Sequence, residues 1–154
     1  MNDTFLSSEE SQRKRYARHL ILSEIGERGQ AVLLRSKVFC FGAGGLGSSV
    51  LLYLAASGIG TLGIADKDVV ELSNLQRQII HTTTRIGMPK VYSAEEAIRA
   101  LNPEVEVRPY HMEVTPDNVR EIIAPYDVVV DASDNYPSRY AISDAAYREK
   151  KCSL

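Results

Sequence analysis

The sequence has only two cysteines, no long run of apolar residues and almost no net charge. Cys40 and Cys152 cannot build a disulfide scaffold, and neither belongs to a Cys-x-x-Cys pair. The short apolar runs exclude a membrane-spanning helix, and the polar, acidic N-terminus is unlike a secretory signal. A net charge of −2 gives no reason to expect nonspecific binding to nucleic acid. We therefore expect a soluble, cytoplasmic protein that needs neither membrane nor nucleic acid as a partner.

The composition is that of a globular chain, with 44 % apolar and 25 % charged residues. Its 154 residues correspond to about one domain. The sequence predicts a helical segment over residues 1–36, in which Gly26 and Gly29 separate two short helices. A capping signal for the first helix lies at Ser7-Ser8-Glu9-Glu10. Residues 37–154 follow a different pattern and form the second predicted unit.

From residue 37 onward, short apolar runs alternate with segments of helical periodicity. Strands are predicted at 38–41, 61–66, 105–114 and 127–131, and helices at 48–57, 89–101, 115–125 and 137–151. This alternation predicts an α/β fold, a Rossmann-like and doubly wound sheet whose strands are mostly parallel. The alternation calls for another strand at Cys152–Leu154, so we expect the sheet to be truncated before its fifth strand.

A glycine-rich motif, Gly42-x-Gly44-x-x-Gly47, lies between the first predicted strand and the helix after it. In this context the glycines allow backbone amides to approach a phosphate, and the helix N-terminus supplies partial positive charge. Asp66 ends the second predicted strand, 19 residues after Gly47, where a carboxylate can bind ribose hydroxyls. The alternative is a tight turn and a surface acid. Spacing and context together favour nucleotide binding.

Two cations beyond Asp66 favour a triphosphate over NAD as that nucleotide. Arg77 belongs to the polar segment 73–78, where a dehydrogenase needs only a linker. Lys90 falls in the first turn of a predicted helix, where the helix dipole disfavours a cation. A bound polyphosphate would explain its position. Either cation alone is typical of a solvated surface, but the pair indicates an anion.

Asp134 follows the fourth predicted strand. In a doubly wound sheet the first and fourth strands are neighbours, and ligands bind in the crevice between their carboxyl ends. Asp134 is therefore expected to lie across from the glycine motif. A carboxylate that faces a polyphosphate requires a divalent cation between them, which makes Asp134 a candidate Mg²⁺ ligand. An Asp134-Asn135 turn without function remains the alternative.

Taken together, these motifs resemble the ThiF/MoeB/HesA adenylyltransferases, relatives of ubiquitin-activating enzymes that activate small ubiquitin-like sulfur carriers. The motifs are Arg15-Tyr16-x-Arg18, Gly42-Ala43-Gly44-Gly45-Leu46-Gly47, Asp66, Ser73-Asn74-Leu75-Gln76-Arg77-Gln78, Gly87-x-Pro89-Lys90 and Asp131-x-x-Asp134-Asn135. The resemblance runs from about Arg15 to the last residue. It implies that ATP is bound by Gly42, Gly44, Gly45, Gly47, Asp66, Asn74, Arg77, Lys90, Asp134 and Asn135.

The resemblance also implies particular roles. Gly45 would approach the phosphates, Asp66 would bind the ribose and Asp134 would bind Mg²⁺. The polyphosphate would be held by three further side chains, those of Asn74, Arg77 and Lys90. In the family, the arginine that matches Arg18 reaches the ATP of the other subunit, which implies a homodimer. The residues with catalytic roles would be Arg18, Arg77, Lys90 and Asp134.

The implied reaction is attack by the C-terminal glycine carboxylate of a carrier ending in Gly-Gly on the α-phosphorus of ATP. Pyrophosphate leaves, and an acyl-adenylate remains. A carboxylate is already ionised at neutral pH, so no general base is needed. The three histidines, His19, His81 and His111, accordingly fall in no catalytic constellation. Carriers of thiamine, molybdopterin and tRNA-thiolation pathways share the Gly-Gly tail, and activation of an amino acid or peptide terminus is a related possibility.

Family members usually carry two Cys-x-x-Cys pairs for structural zinc, and many carry a reactive cysteine, in their C-terminal half. Neither Cys40 nor Cys152 matches such a position, so zinc is expected only beyond Leu154. Two other functions stay open. An NAD-dependent oxidoreductase domain would leave Arg77, Lys90 and Asp134 without roles. A noncatalytic dimerisation scaffold of the same fold would not need those side chains either.

Overall fold

A computed structural model of the protein describes residues 8–154. The chain begins with three helices, α1 (Ser8–Arg15), α2 (Ala17–Leu20) and α3 (Gly26–Arg35), where the sequence predicted two. Gly26 turns the chain into α3 with a φ of +56°, whereas Gly29 lies inside that helix and does not interrupt it. Ser7, one of the predicted capping residues, lies outside the described residues, and Ser8 is the first residue of α1.

The predicted alternation of strands and helices is confirmed over the rest of the chain. The strands are β1 (Lys37–Phe41), β2 (Thr61–Ala65), β3 (Glu106–Tyr110), β4 (Val128–Asp131) and β5 (Cys152–Ser153). The helices are α4 (Gly45–Ser57), α5 (Lys90–Leu101), α6 (Val119–Ile123) and α7 (Tyr136–Arg148), with short 3-10 turns at Leu72–Asn74 and Thr83–Arg85. Within the described residues, no helix is both long enough and apolar enough to cross a membrane.

The five strands form one sheet in the order β3-β2-β1-β4-β5, and every neighbouring pair is parallel. Strand β1 is central, and its last residue, Phe41, pairs with Ala65 on one side and with Asp131 on the other. The chain therefore crosses from one side of β1 to the other between β3 and β4. This is the predicted α/β arrangement, and it brings the carboxyl ends of β1 and β4 together.

The expectation that the sheet is truncated before its fifth strand is wrong. Cys152 and Ser153 pair with Val128 and Val129 of β4, and the Leu154 N–H donates to the Val129 carbonyl. Lys150, with a φ of +52°, ends the turn after α7 and directs the chain back to the sheet edge. The alternation of elements indicated a strand at this position, but a two-residue strand is too short to give a periodic signal of its own.

Helices cover both faces of the sheet. Val38 and Cys40 of β1 face the layer of α4 and α5, where they pack with Leu51 and Ile98. The alternate residues, Phe39 and Phe41, face α6 and α7 and pack with residues such as Tyr126, Ile123 and Ile142. Because both faces of the central strands are buried under helices, the sequences of these strands are continuous apolar runs. The third strand ends at Tyr110 rather than at the predicted residue 114, because Met112 turns back to donate to the Tyr110 carbonyl.

Candidate functional site

A cleft of about 530 Å³ opens at the carboxyl ends of β1, β2 and β4. It lies at the crossover point of the sheet, where the sequence placed its candidate residues. The predicted residues that line it are Gly42, Gly44, Gly45, Asp66, Arg77, Lys90, Asp134 and Asn135. Three others, Gly47, Asn74 and Arg18, do not line it. The structure thus brings most of the predicted set together and leaves out three members.

The glycines of the loop after β1 serve different purposes. Gly42 has a φ of +94°, and a Cβ there would lie 2.8 Å from the Ala132 carbonyl oxygen. A Cβ on Gly47 would lie only 1.9 Å from the Gly42 carbonyl oxygen, so this position must be glycine for α4 to approach the loop. Gly47 is therefore a packing residue, and the structure gives it no access to a ligand.

Gly44 and Gly45 form the part of the loop that faces the cleft. Gly44 is the N-cap residue of α4, and no side chain caps this helix end. The first amides of α4 are consequently available to an external acceptor, and the helix dipole favours an anion there. A Cβ on Gly45 would meet only the side chain of Arg77, at 3.6 Å. This end of the cleft is suited to a phosphate group.

Asp66 follows β2 and is half-buried at the cleft wall. One carboxylate oxygen accepts a hydrogen bond from the Ala43 N–H at 2.8 Å, and the other accepts from the Asp68 N–H at 2.9 Å. The carboxylate therefore holds the glycine loop to the end of β2. Sequence reasoning assigned Asp66 only to a ribose and missed this role, which the spacing of the motif does not reveal.

Lys90 is the first residue of α5, as predicted, and it is only 6 % exposed. Its Nζ lies 3.0 Å from an oxygen of Asp68, and its N–H donates to the Asp68 carbonyl. A protein carboxylate therefore supplies part of the anionic partner that the sequence attributed to a bound polyphosphate. An ammonium group has three donors, so Lys90 keeps donors for a ligand in the cleft.

Arg77 lies over the glycine loop, and its guanidinium donates to the Ser73 carbonyl at 3.3 Å. Asn74 performs a local task instead, since its side-chain oxygen accepts from the Glu71 N–H and caps the 3-10 turn Leu72–Asn74. Arg18 is exposed on α2 and does not line the cleft. Of the three predicted polyphosphate ligands, Arg77 and Lys90 are in the cleft and Asn74 is outside it.

Asp134 and Asn135 follow β4 and are exposed at the opposite wall of the cleft. Asn135 caps α7, because its side-chain oxygen accepts from the Ser138 N–H at 3.0 Å. Across the described residues, no three His, Cys, Asp or Glu side chains are grouped closely enough to hold a metal ion. Asp134 belongs to no such group, so it would supply a single ligand to Mg²⁺, an ion that takes its other ligands from substrate phosphates and water.

Two buried groups near the cleft are unsuited to proton transfer or nucleophilic attack. Burial raises the pKa of Cys40 to about 12, and the charges of Asp131 and Asp66 act in the same direction. Cys40 is therefore a protonated thiol inside β1. The ring of His81 is buried, and its two nitrogens contact Ser93 Oγ at 2.8 Å and the Ala43 carbonyl at 2.9 Å. Both side chains are thus held inside the fold by burial and by their hydrogen bonds.

Gln78 and Arg139 are among the polar side chains that line the cleft and received no individual role from sequence reasoning. Gln78 is 4 % exposed, and its side-chain oxygen has no hydrogen-bond partner. Arg139 donates from two of its nitrogens to the Ser133 carbonyl, so it fixes the loop that carries Asp134. Gln78 is the last residue of the motif at 73–78, which gave it no role of its own, and Arg139 has no sequence signal beyond its position in α7.

Comparisons with known proteins show which family model and which proteins this chain is similar to. A model described as the ThiF family matches residues 16–154. The SAMP-activating enzyme E1 of Haloferax volcanii is 51 % identical over 139 residues, which are 90 % of this chain and 52 % of that protein. The sulfur carrier protein adenylyltransferase of Thermus thermophilus is 50 % identical over 132 residues, which are 86 % of this chain and 49 % of that protein. The chain thus spans about half the length of these curated relatives.

A solved structure has the same fold. The E. coli tRNA N6-threonylcarbamoyladenosine dehydratase in complex with ATP superposes with a TM-score of 0.88 at 31 % sequence identity. The match covers 94 % of this chain and 59 % of that one.

Proposed function

Since the chain belongs to the ThiF family, we propose that it binds Mg·ATP in the cleft at the carboxyl ends of β1, β2 and β4. The observation that carries this proposal is the combination of groups around the cleft. The cleft is lined by the uncapped N-terminus of α4, by Arg77 and Lys90, and by the carboxylate of Asp134. Cations and helix amides hold a polyphosphate, and a carboxylate holds its metal ion. The ATP complex of the E. coli dehydratase supports this ligand.

We propose further that the bound ATP is used for adenylylation. A substrate carboxylate oxygen attacks the α-phosphorus, the bond from that phosphorus to the bridging oxygen breaks, and pyrophosphate leaves with the electron pair. The carboxylate is ionised at neutral pH, so the residues of the cleft need only position two anions and neutralise the leaving group. Arg77 and Lys90 are suited to the leaving pyrophosphate. When bound, Mg²⁺ at Asp134 would neutralise phosphate charge.

The proposed acyl substrate is the C-terminal glycine of a small ubiquitin-like sulfur carrier that ends in Gly-Gly. The names of the Haloferax and Thermus relatives, at 51 % and 50 % identity, support a carrier protein as the substrate class. Carriers of thiamine, molybdopterin and tRNA-thiolation pathways share this tail chemistry. The site demands only a flexible chain end that can bring its carboxylate to the α-phosphorus.

A homodimer belongs to the same proposal. Arg18 is exposed on α2 and does not line the cleft of its own chain. If it contacts ATP, as the family resemblance implies, the nucleotide must be in the cleft of a second copy. Loss of the Arg18 guanidinium would then weaken ATP binding only in the dimer. A monomer at every concentration would exclude that role.

Thermal unfolding of this chain with Mg·ATP, with NAD⁺ and with no ligand tests the nucleotide proposal. A ligand that binds only the native state adds about 2.7 kcal/mol of stability at 100 times its Kd. We expect stabilisation by Mg·ATP and none by NAD⁺. Stabilisation by NAD⁺ alone would favour an oxidoreductase domain, and no shift with either nucleotide would contradict ATP binding.

A variant pair tests the metal assignment within the same experiment. Asp134→Asn keeps the shape of the side chain but removes its charge, so the gain in ATP affinity on adding Mg²⁺ should disappear. Asp144→Asn removes an exposed carboxylate of α7 that pairs with Arg148, and it should leave that gain intact. An unchanged Mg²⁺ dependence in Asp134→Asn would remove this residue from the site.

A further inference from the structure

Gln78 is a buried polar side chain whose functional groups are left without partners. The residue is 4 % exposed, its Oε1 is buried without a hydrogen-bond partner, and its Nε2 makes no hydrogen bond within residues 8–154. Its backbone is fixed, because its N–H donates to Asn74 and its carbonyl accepts from His81. A buried amide without partners destabilises a fold, and native structures contain few such groups. Phosphate oxygens accept hydrogen bonds, so the end of the carboxamide that a phosphate in the cleft can pair with is the donor, Nε2, and not Oε1.

The carboxamide lies at the wall of the cleft, beside the glycine loop. Its Nε2 is 3.8 Å from the point that a Cβ on Gly44 would occupy. Gly44 is the uncapped N-terminus of α4, and Arg77, the residue before Gln78, lies over Gly45. The side chain thus shares one end of the cleft with amide and guanidinium donors. The ribose-binding candidate, Asp66, follows β2 and already accepts two backbone hydrogen bonds.

We propose that Gln78 is a further phosphate-binding residue, whose Nε2 donates a hydrogen bond to a phosphate oxygen of the bound nucleotide. This inference rests on the proposed binding of Mg·ATP in the same cleft. A neutral donor adds direction where Arg77 and Lys90 already supply charge. When no ligand is bound, a buried neutral amide also destabilises the fold less than a third cation would, since a buried charge without a partner costs more free energy than a buried amide.

The variant that tests the contact is Gln78→Met. Methionine has a similar volume and no hydrogen-bonding group, so it keeps the packing and removes only the amide. We expect an unfolding temperature without ligand that equals or exceeds that of the wild type, because an unpartnered buried amide is gone. The Kd for Mg·ATP, measured by calorimetric titration, should rise about tenfold, as for loss of one hydrogen bond to a charged group.

Gln76→Met is the matched control. Gln76 belongs to the same segment, is exposed and does not line the cleft. The identical chemical change there should leave both the unfolding temperature and the Kd for Mg·ATP unchanged. A loss of affinity of the same size in Gln76→Met would contradict a contact made specifically by Gln78.

A measurement on the wild-type protein removes any dependence on the folding of a variant. With ¹⁵N-labelled glutamine side chains, the Gln78 amide resonance should move on titration with Mg·ATP, whereas the Gln76 resonance should not. Assignment of the Gln78 resonance uses Gln78→Met, or Gln78→Glu if the first variant does not fold. A stationary Gln78 resonance at saturating Mg·ATP would overturn the contact.

The outcomes separate this inference from the function on which it rests. If the wild-type chain binds Mg·ATP and Gln78→Met binds it with the same Kd, the contact is wrong and the nucleotide site stands. If the wild-type chain shows no saturable binding of Mg·ATP, the proposed function fails and the contact fails with it. A tenfold weaker Kd confined to Gln78→Met supports both.

Discussion

His81 joins the glycine loop to α5 through a single buried ring. The Ala43 carbonyl can only accept a hydrogen bond, so His81 Nε2 donates to it, and Nδ1 of the neutral ring accepts from the Ser93 hydroxyl. Burial lowers the pKa of His81 below its usual 6.5, and the charges of Lys90 and Arg85 lower it further. The hydrogen bond to the Ala43 carbonyl acts in the opposite direction without cancelling these effects.

We predict that this ring makes stability depend on pH. The unfolded chain takes up a proton on His81 below about pH 6.5, while the folded chain does not until the pH reaches its lowered pKa. The free energy of unfolding should therefore be fully maintained above that range and fall as the pH drops through it. Denaturant unfolding between about pH 8 and pH 5 measures the effect.

Two substitutions separate the contribution of His81 from those of other groups. His81→Asn removes the titrating ring, so its free energy of unfolding should change less steeply with pH. His111→Asn removes an exposed histidine and should keep the wild-type pH dependence. Equal slopes for the wild type and His81→Asn would show that another group titrates.

At the scale of elements, the turn from β1 into α4 depends on one close approach. A Cβ on Gly47 would lie 1.9 Å from the Gly42 carbonyl oxygen, whereas a Cβ on Gly45 would make ordinary contact with Arg77. We predict that Gly47→Ala lowers the free energy of unfolding by about 1–3 kcal/mol, as overpacking does. Gly45→Ala should keep or raise it, since alanine favours a helix.

Chemical denaturation of both variants measures these changes, and each variant is the control of the other because both replace a glycine of the same turn by alanine. Equal stabilities for Gly47→Ala and Gly45→Ala would contradict the packing role of Gly47. The contrast concerns stability only, since Gly45 also faces the proposed ligand.

The elements show what periodicity can and cannot predict. Strand β1 was correctly predicted from the apolar run 38–41, because nearly all of its residues are buried. Helix α5 was correctly predicted from the face of Val91, Ala94 and Ile98, because these residues are buried at helical spacing. Gly29 was expected to interrupt a helix, but packing of α3 outweighs the weak helix propensity of one glycine. The end of β3 and the pairing of β5 with the sheet depend on turns made by Met112 and Lys150, which carry no periodic signal.

At the scale of the whole molecule, the position of the candidate site was predictable from the sequence, but some of its side-chain contacts were not. The doubly wound pattern made β1 and β4 neighbours, and Asp134 and the glycine loop do line the same cleft. The ion pair of Lys90 with Asp68 and the unpartnered amide of Gln78 could not be predicted. Such contacts depend on how side chains from distant segments pack together. The order of residue types along the chain does not predict that packing.

A buried asparagine joins the N-terminal helices to the helices that cover the sheet. Asn102 Nδ2 donates to Tyr16 Oη at 2.9 Å and to the Ala55 carbonyl at 2.8 Å, and Asn102 is fully buried. We predict that Asn102→Leu lowers the free energy of unfolding by about 1–3 kcal/mol, because it leaves buried polar atoms unpaired. Thermal or denaturant unfolding measures this loss.

Tyr16→Phe gives the comparison for that prediction. It removes only the hydroxyl and leaves the bond from Asn102 to the Ala55 carbonyl, so its effect should be smaller than that of Asn102→Leu. A larger loss in Tyr16→Phe would mean that the tyrosine hydroxyl, and not the asparagine, is the main link.

The crossover between β3 and β4 has a consequence for the time course of folding. Lys37 pairs with Thr61 nearby in sequence, but it also meets Asp127, which is 90 positions away. Contacts that close long loops form slowly, since chain entropy opposes them. The cleft lies at the ends of β1 and β4, a strand pair that is expected to form late in folding. A refolding chain should therefore acquire nucleotide affinity in its last kinetic phase, and an intermediate containing only β1, β2 and β3 should have none.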